Sequence, residues 1–442
     1  MGRLVGMTGV LLAMPAVSLS QGNTFVIRNA TIVPVTGPRI ANGSVVIQDG
    51  KITAVGSNVT APAGATVIDA TGQFVYPGFI DSGTQIGLNE IGGVPGPVDS
   101  RELGDFNPHL ITTTAVNVGS EHIGVTRANG ITTVLTAPSG SVMSGLAGLV
   151  NLAGYTNEEM IAKQKTALLL SWPNIGGGGG GRGGGRGRGG GGGDPAAQRA
   201  EYERQVRQIY RWFADARAYN EVKARLTANG AQPPVSWRTD YRLEAMGPAL
   251  RGEMPVLIDA NSVEQMRDAI RFMDSVRVRI VIRGAREGWQ FADTLAARRV
   301  PVIVGPLTGT PGADEPYDLV FASPGVMQKA GVMLAFQSAS TSSARDLPYS
   351  VGLGIAFGMD AEEALKAITI NPARIWGVES EYGSIEPGKW ANLMVATGDP
   401  IDIRTTIKEV FVKGMRQRFD DRHTELYEQY RARPKPPRPP AR

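Results

Sequence analysis

At 442 residues the chain is long enough for one large domain and a smaller companion. With no cysteine it has no disulfide, no thiolate metal site and no cysteine nucleophile. Arg3, the three arginines of 176–193 and the five basic residues from Arg431 onward outweigh the net charge of +4, so the rest is net −5, which argues against a broad nucleic-acid footprint.

Residues 1–20, MGRLVGMTGVLLAMPAVSLS, join a short basic start to an apolar run, with Ser18 and Ser20 ahead of a cut before Gln21. This predicts a secretory signal peptide and a periplasmic or secreted protein. The run is too short to span a bilayer, and no other segment is apolar enough to do so. From Thr24 to Tyr76, β-branched runs alternate with turns, and Asp49-Gly50 between two of them signals a hairpin.

The middle of the chain differs. Eight apolar runs recur between helical stretches: FIDSG, ITTVLTA, GLVNLAG, TALLLSW, PVLIDA, VRIVIRG, VPVIVG and VMLAFQ. Continuous rather than alternating hydrophobicity implies strands buried on both faces. Eight such units predict an α/β fold of the (β/α)8 TIM type over 77–370; on this pattern alone a doubly wound open sheet is the alternative.

Within that region the block GGGGGGRGGGRGRGGGGG, 176–193, cannot build a core and reads as a disordered insertion. Asp194 and Pro195 then start a helix whose Tyr202, Val206, Ile209, Phe213 and Ala216 form one stripe, its charged residues a solvated face. Short strands return at about 377–419, where Lys413-Gly414 marks a turn, and pair with 24–76 as a small composite β-sandwich. Residues 420–442 read as a basic, proline-rich tail.

Four stretches carry a family resemblance: VIDATGQFVYPGFID (67–81), ANGITTVLTAPSG (128–140), EEALKAITINPARIWGV (362–378) and GSIEPGKWANLMVATGDP (383–400). Together they resemble the amidohydrolase superfamily, especially its imidazolonepropionase-like branch. The resemblance covers nearly all of 24–419 and implies a barrel with a composite β-sandwich. It also implies hydrolysis of non-peptide C–N bonds, such as those of cyclic amides or dipeptide-like substrates. One or two divalent metals, commonly zinc, would sit at the C-terminal mouth. They would be held by two histidines on the first strand, histidines on the fifth and sixth, and an aspartate on the eighth. A carboxylated lysine or a glutamate on the fourth often bridges them.

This chain departs at every position. Gly83 and Gln85 stand at the first strand, and Ser171 and Trp172 end the fourth. Asp259 replaces the fifth-strand histidine, Arg283 or Gly284 the sixth, and Ser338 or Ala339 the catalytic aspartate. Where the family has Ala-Asp in the last stretch, this chain has Ala391-Asn392. Only three histidines exist, His109, His122 and His423, none on a predicted strand end, so a histidine-rich zinc site is excluded by composition.

Gln85, Asp259, Asn261 and Glu287 are candidate oxygen ligands for a hard cation, and Asp259 with Glu287 a candidate metal-free acid–base pair. Arg283 is expected to compete for these carboxylates, and Asp314, Glu315 and Asp318 read as a solvated loop. The reading is a pseudoenzyme, with no cofactor expected, partnering an intact relative or itself as an oligomer. A rebuilt hydrolase and a ligand-binding barrel that takes a small molecule are the alternatives. Neither nucleic acid nor a transmembrane span is expected.

Overall fold

The computed structural model describes residues 24–175, 194–230, 232–309, 315–419 and 421–434. The signal segment 1–20, the glycine block 176–193, Asp314 and the chain from 435 onward lie outside the described residues.

The two ends of the chain meet in one sheet. Its N-terminal strands are β1 (Phe25–Ile32), β2 (Ile40–Gln48), β3 (Lys51–Gly56), β4 (Thr66–Asp69) and β5 (Phe74–Pro77). The Asp49-Gly50 turn joins β2 to β3 with positive φ at both residues, 49° and 81°, the conformation a two-residue hairpin needs. Eight barrel strands follow: β6 (Phe79–Thr84), β7 (Ile131–Thr136), β8 (Gly145–Asn151), β9 (Ile161–Ser171), β10 (Val256–Ala260), β11 (Ile280–Gly284), β12 (Val302–Val304) and β13 (Leu334–Phe336). The chain then returns to the first sheet as β14 (Leu393–Ala396), β15 (Ile407–Val412) and β16 (Met415–Arg416).

The order in the first sheet is β16-β15-β14-β5-β1-β2-β3, with β4 beside β1. β4 takes the first half of one edge of β1 and β5 the second half. The hydrogen bonding therefore links all eight strands into one forked sheet rather than two separately bonded layers. Ile27, Ile47, Val75, Leu393 and Phe411 form its core.

The barrel strands follow one another in sequence order, β6 to β13. Residues of opposite parity enter two different cores. Ile80, Leu135, Leu149, Leu169, Leu257, Val281, Ile303 and Ala335 fill the interior. Phe79, Val134, Leu168, Val256, Ile280, Val302 and Leu334 pack outward in the cluster that includes the helices. Burial on both faces is why these strands read as unbroken apolar runs. Trp376, Val378 and Tyr382 join the interior cluster. The Lys163 ammonium, near the start of β9, donates to the Trp376 carbonyl at 2.8 Å, so this segment covers the N-terminal end of the barrel.

The expected all-parallel barrel needs one correction. β8 runs antiparallel to both β7 and β9. The connections 137–144 and 152–160 are shorter than the dozen or so residues a parallel crossover requires, so this part is a meander. The other barrel neighbours pair in parallel. β6 and β13 meet at the seam, where the Ala339 N–H donates to the Gly83 carbonyl at 2.9 Å.

The helix Pro195–Leu226 starts under its Asp194 cap and buries Tyr202, Ile209, Phe213 and Ala216. The expected tail also needs correction: residues 422–431 form a helix, because the Asp421 side chain accepts from the His423 and Thr424 N–H groups. Among the described residues no helix is long and apolar enough to cross a membrane.

Candidate functional site

Side chains alternate along a strand, so the interior positions Leu169, Leu257, Val281 and Ala335 are followed two residues later by Ser171, Asp259, Arg283 and Gln337. These four make the top layer of the barrel, at the strands' C-terminal ends. Ser171 and Asp259 are register partners across β9 and β10, and Asp259 and Arg283 across β10 and β11. Direct bonds follow. The Ser171 hydroxyl donates to Asp259 Oδ2 at 3.3 Å. Arg283 holds both carboxylate oxygens, Nη2 reaching Oδ2 at 2.8 Å and Nε donating to Oδ1. Burial works against the guanidinium charge, but the Asp259 charge and hydrogen bonds more than offset it, and the pKa of Arg283 is raised.

The β6–β13 side is closed differently. Gln337 is buried, its Nε2 donating to the Gly305 carbonyl at 3.1 Å. A Cβ placed on Gly83 would stand 2.3 Å from Gln337 Oε1 and 3.3 Å from its Cβ and Cδ. The Ser338 N–H donates to Asp81 Oδ1 at 3.0 Å, and Ala339 takes a positive φ of 50°. Asp81 Oδ1 also accepts from the Gly83 N–H at 3.0 Å, while Oδ2 is buried without a hydrogen-bond partner. Burial pushes the Asp81 carboxyl up to about 7. Gln85 turns aside to Ser139, donating to its hydroxyl at 2.9 Å.

The structure therefore brings Ser171, Asp259 and Arg283 together. Gly83, Ser338 and Ala339 meet one another at the barrel seam. It does not join Glu287 to Asp259. Glu287 Oε2 accepts from the Val263 N–H at 2.8 Å, at the start of the Val263–Val276 helix. The Asn261 N–H donates to Gln265, and Glu315 pairs with Arg286 at 2.7 Å. Asp318 stands at the start of the Leu319–Lys329 helix. His122 contacts the Glu90 carbonyl, and His423 lies against Arg345. His109 Nδ1 is buried without a partner. Among the described residues no three His, Asp or Glu side chains group as a metal site would require.

Gln337 and Asp81 are the mouth residues that the sequence reading missed as site positions. Gln337 was legible as the polar end of VMLAFQ, in phase with interior Ala335. Asp81 was legible as a carboxylate ending an apolar strand.

The donor set does not fit a divalent metal held by imidazoles. The carboxylate in the top layer, Asp259, is spent on a guanidinium, and that guanidinium is itself a cation standing at a ligand position.

Residues 321–418 match the family model described as the amidohydrolase family. An adenine deaminase of Rubrobacter xylanophilus is 23% identical over 405 residues, 87% of this chain and 56% of that protein. A D-hydantoinase of Geobacillus stearothermophilus is 46% identical over 65 residues, 15% of this chain and 13% of the relative. The chain thus spans about half the length of the deaminase and a small part of the hydantoinase. Among solved structures, an amidohydrolase from Thermotoga maritima MSB8 superposes with a TM-score of 0.76 at 26% identity, covering 89% of this chain and 99% of that one.

Proposed function

We propose that this chain, which belongs to the amidohydrolase family, has given up that family's metal-assisted hydrolysis and acts as a pseudoenzyme. We read it as exported, within the imidazolonepropionase-like branch, and as the partner of an intact relative or of a second copy of itself. The Arg283–Asp259 pair at the barrel mouth carries this reading.

In the family a bound metal would lower the pKa of its water from about 15.7 to about 7 and polarise the carbonyl. The residues present cannot take over that task. Asp259 has both carboxylate oxygens engaged by Arg283, and general-base help alone contributes about 10²–10⁴-fold. Usual enzymatic accelerations begin near 10⁶-fold. Arg283 could orient an anion, but its fork is engaged by Asp259.

Elemental analysis tests the reading on protein purified without chelator, beside a hydrolysis panel of a cyclic amide, a dipeptide and adenine. The expected outcome is well under one equivalent of zinc, manganese, iron or cobalt, and no turnover above background when these ions are added. Stoichiometric metal together with turnover abolished by Asp259→Ala would overturn it in favour of a rebuilt hydrolase.

A further inference from the structure

We infer that Gln337 stoppers this side of the barrel mouth: its side chain occupies the space that a ligating or substrate-contacting side chain at position 83 of β6 would need. The inference rests on the mouth being non-catalytic, and names the residue that keeps it shut.

Three observations carry it. First, Gln337 and Gly83 interlock. The missing Cβ of Gly83 is what admits the Gln337 amide, which would otherwise lie 2.3 Å from it. Second, Gln337 is held on its other flank. Its side-chain amide donates to the Gly305 carbonyl, its backbone N–H donates to the Val304 carbonyl, and a Cβ on Gly305 would meet the Gln337 carbonyl at 2.6 Å. Moving the amide aside means giving up a part-buried hydrogen bond. Third, the other polar side chains of the top layer engage one another in the Ser171–Asp259–Arg283 chain. Two surface cavities, of about 370 Å³ beside Lys223 and Arg251 and about 240 Å³ beside Asn129 and Tyr349, are lined by none of these residues.

The consequence is specific. Restoring a histidine at position 83 requires the Gln337 amide to move before coordination is at issue.

A double-mutant cycle on melting temperature tests this with full-length protein. Gly83→Ala alone should lower the melting temperature by roughly 2 °C or more, since overpacking a filled site forces neighbours to shift. In a Gln337→Gly background most of that loss should vanish, with Gln337→Ala intermediate, because the 3.3 Å Cβ contact persists there. Should Gly83→Ala fail to fold, recovery of a cooperative transition in the Gln337→Gly background supports the interlock, and failure in both overturns it. An equal loss in both backgrounds, or no loss in the single variant, also overturns it. The two readings fail separately. Stoichiometric metal in the wild type, with turnover abolished by Asp259→Ala, would remove the pseudoenzyme reading whatever the cycle gives, and an additive cycle would remove the stopper while leaving the metal content as found.

Discussion

The Asp81 carboxylate joins one well-bonded oxygen to one buried without a partner. Asp81 Oδ1 accepts two backbone N–H groups across the β6–β13 seam, while Oδ2 is buried and unpartnered. Burial dominates, and the folded pKa rises from 3.8 to about 7. The folded protein therefore binds a proton that the unfolded chain has released between about pH 4 and 7. The stability from this group is fully present below about pH 4 and is lost as pH rises through about 7, a change on the order of a few kcal/mol. Urea unfolding of the wild type and Asp81→Asn at pH 5, 6, 7 and 8 isolates it, because other titrations cancel in the difference. The wild type should lose ground to Asp81→Asn as pH rises, and parallel profiles would show that Asp81 titrates normally.

Between elements, one amide ties barrel to sheet. Asn392, just before β14, donates through Nδ2 to Asn151 Oδ1 at 2.9 Å and to Thr133 Oγ1 at 3.0 Å. Its Oδ1 accepts from the Lys413 N–H at 2.7 Å, and its carbonyl from the Gly78 N–H at 2.8 Å. An aspartate here would bring no donor to Thr133 and Asn151, so the departure from the family's Ala-Asp has a local reason. Asn392→Ala removes both donations, leaving Thr133 and Asn151 with their mutual bond, and deprives the Lys413 N–H of its acceptor, at about 1–3 kcal/mol for a buried group left unsatisfied. The urea midpoint should fall with little change in slope, and an unchanged midpoint would mean that the junction is held elsewhere.

Much at this scale was legible in the sequence. Eight apolar runs became eight strands because burial on both faces leaves no polar phase to misread. The direction of β8 was not legible from hydrophobicity, which has no polarity along the chain; only the short spacings on either side of GLVNLAG carried it. At the mouth, Asp259 and Arg283 followed from strand phase. Gln337 escaped because Ser338 and Ala339, one or two residues beyond the phase set by Ala335, stood as the eighth-strand candidates. The Asp259–Glu287 pair failed because a carboxylate beside a helix start is satisfied by backbone N–H groups first.

Across the whole molecule, the forked sheet depends on both ends of the chain. β5 pairs with β14 from Phe74↔Ala396 to Pro77↔Leu393, and with β1 only through Phe74 and Val75. Chains ending before Leu393 should keep their barrel strands but partition into the insoluble fraction, because β5 then presents an unpaired edge over an apolar core. Chains ending at Pro434 retain every described strand and should elute as the full-length protein does. Comparable soluble yield from both, by size-exclusion chromatography, would contradict this.

That pairing also imposes a schedule. The ribosome emits β14 roughly 300 residues after β5, and at ~5–20 residues per second the gap lasts roughly 15–60 s. Throughout that interval the nascent chain carries a sticky β5 edge with no partner of its own. Its safety in the cell depends on whatever shields the growing polypeptide until the last strands arrive.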